Sequence, residues 1–66
     1  DIRQKLGENL RQEHDKKGWS QEELAHEADI HRTYISDLER GARNPTVMVV
    51  EKISKALDVS MGMLLD

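Results

Sequence analysis

The stretch Trp19-Ser20-Gln21-Glu22-Glu23-Leu24-Ala25, then Asp29-Ile30-His31, then Arg32-Thr33-Tyr34-Ile35-Ser36-Asp37-Leu38-Glu39-Arg40-Gly41 decides the fold. Its first part reads as a helix start. Ser20 can accept the Glu23 N–H while the Glu23 side chain reaches back to Ser20, which is a capping box. Trp19 before the cap and Leu24 inside the helix pair as a hydrophobic staple. Leu24, Ala25 and Ala28 make a narrow inner face, and the two alanines let another helix come close. Asp29-Ile30-His31 interrupts the pattern, with Ile30 placed to plug a corner. A second short helix runs from about Arg32 to Arg40, with Ile35 and Leu38 inward and Gly41 ending it.

Working outward, a first helix is expected from Ile2 to Lys17. Ile2, Leu6, Leu10 and His14 recur every four residues and form one face. Gly18 suits the position just past its end, and Lys16 and Lys17 suit the negative pole of the helix. Gly41-Ala42-Arg43-Asn44-Pro45 reads as a loop. A fourth helix follows, capped either by Thr46 or by Asn44 with Pro45 at its first position. Val47-Met48-Val49-Val50 has strand propensity. Val50, Ile53 and Leu57 nevertheless continue at helical spacing, which favours a helix to Leu57. Ser60 can cap a last short helix, Met61 to Leu65. No segment alternates strictly, so no sheet is expected. The expectation is one all-α domain of five helices over residues 1–66.

Composition narrows the function. A chain of 66 residues is one small domain and leaves little room for an enclosed catalytic pocket. It has no Cys, which removes disulfides and thiolate zinc sites and suits a reducing, cytoplasmic setting. No apolar run approaches ~20 residues, so no membrane span is expected. No secretory leader pattern appears, and a start at Asp1 without Met fits a trimmed fragment. His14, His26 and His31 do not cluster, and His26-Glu27 lacks the second His of a metalloprotease motif. No nucleophile–base pair or phosphate-binding glycine loop is visible, so no metal, cofactor or catalysis is expected. One Trp, one Tyr and no Phe are too few aromatics to stack single-stranded bases.

The outer face of the second short helix carries the interest. With Ile35 and Leu38 inward, Arg32, Thr33, Ser36, Asp37 and Arg40 point outward or flank. Such a face offers the donors and acceptors that base edges in a major groove require, and a helix fits that groove. Arg32 could grip guanine in a bidentate pair, or clamp a phosphate. Asp37 could accept from cytosine N4, or orient Arg40. The formal net charge of −3 runs against a uniformly basic surface. A basic stripe around Arg32, Arg40 and Arg43 on an acidic body remains.

These segments, with Arg43-Asn44-Pro45-Thr46 and Lys52-Ile53-Ser54-Lys55-Ala56-Leu57-Asp58-Val59-Ser60, resemble the Cro/C1-type (XRE) helix-turn-helix family of transcriptional regulators over nearly the whole chain. His31-Arg32-Thr33-Tyr34-Ile35-Ser36 is also similar to the controller proteins of restriction–modification systems. The resemblance implies a lambda-repressor-like domain whose second and third helices read double-stranded DNA. By position it implies a phosphate contact for Gln21, and base or phosphate contacts for Arg32, Thr33, Ser36 and Asp37. It implies backbone contacts for Tyr34, Arg40, Arg43 and Asn44. Two departures stand out. Asp29 occupies a position where the family often has Gly, and His31 one where it usually has Ser, Thr or Asp. Many relatives carry Arg at the position of His14, paired with the acid corresponding to Glu39. Here His14 either bridges Glu39 or bonds a backbone carbonyl. Members commonly dimerise through the C-terminal segment. Met61 and Met63 fit that role, because they are left over once Val50, Ile53, Leu57, Val59 and Leu64 have packed. A homodimer on DNA is therefore the expected functional form. The competing expectation is a protein-interaction module, an antitoxin or adaptor, which the acidic net charge favours.

Overall fold

The computed structural model describes all residues 1–66. It contains five helices: α1 (Ile2–Lys16), α2 (Gln21–Ala28), α3 (Arg32–Glu39), α4 (Val47–Leu57) and α5 (Met61–Leu65). There is no strand, so Val47-Met48-Val49-Val50 follows its helical spacing rather than its β-propensity.

Each helix start carries a side chain that accepts one of the amide protons the helix cannot bond internally. The Ser20–Glu23 capping box is complete: Ser20 Oγ accepts from the Glu23 N–H at 3.1 Å and Glu23 Oε1 from the Ser20 N–H at 3.0 Å. His31 caps α3 through its ring, with Nδ1 accepting from the Thr33 N–H at 3.1 Å. Thr46, not Asn44, caps α4, with Oγ1 accepting from the Val49 N–H at 3.1 Å. Ser60 does the same for α5.

One corner is built twice. α2 and α4 end in Asp29 and Asp58, both left-handed, with φ 56° and 59°. After each comes one apolar residue, Ile30 or Val59, whose N–H closes the helix at 2.9 Å to Ala25 O or 3.0 Å to Ser54 O. Both side chains pack on the core. The next residue, His31 or Ser60, already caps the following helix. The three-residue turn between α2 and α3 is therefore a Schellman closure fused to an N-cap.

Leu6, Leu10, Leu24, Ile35, Leu38, Ile53, Leu57 and Leu64 are wholly enclosed at the centre of the core. α1 packs on α3 and α5, α2 on α3 and α4, and α4 on α5. Ile2, placed on the inner face by spacing, is 54% exposed. It lies in the first turn of α1, where the helix has run past the core. Gly7 sits where α1 crosses the end of α3. A Cβ there would come within 2.7 Å of Leu38 O and 2.8 Å of Glu39 O. The side-chain amide of Asn9 donates to the carbonyls of Leu64 at 2.9 Å and of Met63 and Asp66 at 3.4 Å, which secures the C-terminal turn against α1.

Candidate nucleic-acid interface

The α2–corner–α3 arrangement leaves a cleft of about 660 Å³. Ser20, Gln21 and Glu22 at the start of α2 line one side, and Arg32, Thr33, Ser36, Asp37 and Arg40 of α3 line the other. No hydrophobic side chain contributes. The reason is periodicity: Ile35 and Leu38 of α3 point into the core, so its remaining face is polar.

Six of the nine residues expected at a DNA contact meet in this cleft: Gln21, Arg32, Thr33, Ser36, Asp37 and Arg40. Arg43 is drawn to its edge, with Nη2 donating to Asp37 Oδ2 at 3.1 Å. The Arg43 guanidinium stacks 4.3 Å above the centre of the half-buried Tyr34 ring. Asn44 is exposed in the loop and does not line the cleft. Ser20 and Glu22 also line it, although the sequence marked neither for a DNA contact. Glu22 Oε2 accepts from Arg32 Nη1 at 3.3 Å. Both side chains are largely exposed, so this pair adds little stability.

Asp37 meets two arginines. Its carboxylate bonds Arg40 through one oxygen and Arg43 through the other. The Arg40 hydrogen bond, then the Arg43 one, holds its carboxyl below the ordinary value of 3.8. Burial pushes the other way and is the smaller effect.

Beneath the cleft lies a second polar cluster. His14 lies between a backbone carbonyl and Glu39. Its Nδ1 faces Trp19 O at 2.8 Å, and its Nε2 lies 2.7 Å from Glu39 Oε2. The latter is a close contact without hydrogen-bond geometry, and neither atom has another hydrogen-bond partner in the chain. The other Glu39 oxygen accepts from Gln21 Nε2 at 3.1 Å and Arg11 Nε at 3.5 Å. Gln21 is thus tied to α3 as well as lining the cleft.

At the far end, Met63 is 48% exposed while Met61 is partly buried against the core. Val47 and Met48, at 76% and 72%, are more exposed than either.

Two short capped helices at a tight corner, the second turning a polar face outward, define a helix-turn-helix. The helix-turn-helix family model matches residues 8–64, and the chain belongs to this family, of the Cro/C1 (XRE) type. It is 54% identical to the control protein C.BamHI of Bacillus amyloliquefaciens over 66 residues, spanning 98% of this chain and 82% of that one. It is 40% identical to the HTH-type transcriptional regulator SinR of Bacillus subtilis, over 92% of this chain but only 56% of SinR. The fold superposes on the crystal structure of a hypothetical transcription factor from Neisseria with TM-score 0.96 and 42% identity, covering 100% of this chain and 76% of that one. It also superposes on SinR in complex with DNA, with TM-score 0.89 and 40% identity, over 92% and 98% of the two chains.

Proposed function

We propose that this protein binds double-stranded DNA in a sequence-specific manner as a homodimer and regulates transcription in the cytoplasm, without catalysing a reaction. The observation that carries the reading is the cleft between the start of α2 and the outer face of α3, which only polar and charged residues line. A helix presenting Arg32, Thr33 and Ser36 can enter a major groove, while the start of α2 crosses the sugar–phosphate backbone. In this reading Arg32 grips guanine O6 and N7, and Thr33 and Ser36 reach base edges or the nearest phosphates. Gln21, Tyr34, Arg40, Arg43 and Asn44 hold the backbone. Asp37 keeps Arg40 and Arg43 in place rather than reading a base, consistent with both its oxygens being engaged by them. Each copy covers a few base pairs, and pairing through Met61 and Met63 doubles the contact.

The test is binding to random duplex over a salt series, followed by selection of sites from randomised duplex. The expected result is affinity that falls linearly on logarithmic axes as salt rises, and a palindromic selected site. An interaction module of the same fold would show neither.

A further inference from the structure

We propose that Glu39 is a positioning residue that gathers Arg11 and Gln21 around one oxygen, so that the two together hold a single DNA phosphate. This rests on the reading that the start of α2 meets the DNA backbone. The Glu39 side chain is only 2% exposed, yet it joins three helices. His14 of α1 lies against Oε2 from within, at 2.7 Å. Arg11 of α1 and Gln21 of α2 both reach Oε1 from the rim. An ionised carboxylate only accepts, so Gln21 must turn its amide nitrogen inward. One amide hydrogen then goes to Glu39, and the second remains for a ligand. Arg11 uses only Nε, which leaves both terminal nitrogens without a partner in this chain. Its side chain is 62% exposed. Two groups bound to one atom necessarily lie beside each other. The result is a pair of donors, one cationic, held side by side by one buried carboxylate, with Gln21 of the pair lining the cleft. Nothing in the spacing of α1 marks Arg11, since its outward position is shared by most of its neighbours.

The test is fluorescence anisotropy on a random-sequence duplex across a salt series. It uses the wild type, Arg11→Gln, Gln21→Ala, Glu39→Asp, and Arg11→Gln and Gln21→Ala each combined with Glu39→Asp. Circular dichroism establishes that each variant is folded. In the wild-type background, Arg11→Gln should flatten the salt slope by about 0.9, one phosphate's worth of released counterion. Gln21→Ala should weaken binding by about tenfold, the size of one hydrogen bond to a charged group, with the slope unchanged. Glu39→Asp keeps the charge beside His14 but withdraws the oxygen by one methylene, so both effects should shrink severalfold there. Equal effects in both backgrounds would overturn the positioning role. An unchanged slope in Arg11→Gln would overturn the shared phosphate. A wild type that does not bind at all would overturn the DNA-binding reading itself. If Glu39→Asp does not fold, Glu39→Gln replaces it. It retains an acceptor for Gln21 but not the charge that draws Arg11, so only the Arg11 effect should vanish, and its persistence would count against the proposal.

Discussion

Asp37 organises two guanidinium groups with one carboxylate, and its titration should report the arrangement. Because its folded pKa is depressed, its contribution to stability is present above the ordinary carboxylate value of 3.8 and is lost as pH falls through the lowered folded value. Urea denaturation should therefore find Asp37→Asn less stable than the wild type at neutral pH, with the gap closing as pH drops below about 4. The difference will be small, since both arginines are largely exposed. Arg32 and Arg43 should separate by role on DNA. Arg32→Ala should weaken binding to the selected site by about 1–3 kcal/mol and relax preference at one or two base pairs. Arg43→Ala should weaken selected and random duplex alike. Parallel isotherms on the two duplexes distinguish them, and an Arg32→Ala variant with unchanged affinity and preference would remove α3 from the groove.

The crossing of α1 over α3 depends on Gly7, whose missing Cβ lets the α3 carbonyls approach. Alanine would ordinarily strengthen a helix interior by about 0.5–1 kcal/mol. Here the added methyl meets backbone that cannot rotate away, so Gly7→Ala should instead destabilise by about 1–3 kcal/mol. Urea midpoints measure it. The Gly62→Ala variant of α5, where nothing lies within 4 Å of the added atom, serves as the control. The contrast explains what the sequence could reveal. Ser20, Thr46 and Ser60 were readable as cap candidates because a cap and its amide lie three residues apart. The polar face of α3 was readable because two apolar residues fix its rotation. Gly7 under α3, Asn9 on the end of α5, and Glu22 beside Arg32 were not, because each acquires its meaning from a partner on another helix. Ile2 misled because a periodic pattern does not say where the core stops.

At the scale of the molecule, the exposed side chains at the ends of the bundle bear on assembly. Sedimentation at tens of micromolar should find a dimer, and Met63→Lys, a change at an already exposed position, should shift it to monomer without loss of helix. A monomeric wild type, or a dimer that survives the substitution, would exclude the α5 interface. The two matching corners carry a different consequence. Aspartate held left-handed at 29 and 58 costs on the order of 1 kcal/mol at each position compared with glycine. Neither residue lines the cleft, so that strain sits apart from the proposed DNA contact. Relief of about 1 kcal/mol at one corner lowers the unfolded population about fivefold. Unfolded copies are the ones cellular proteases remove, and differences of this size change abundance severalfold. Asp29→Gly with Asp58→Gly should thus outlast the native chain in a protease-containing lysate. Two backbone dihedral angles then help set the half-life of each copy, and through it the number of copies present to occupy a promoter.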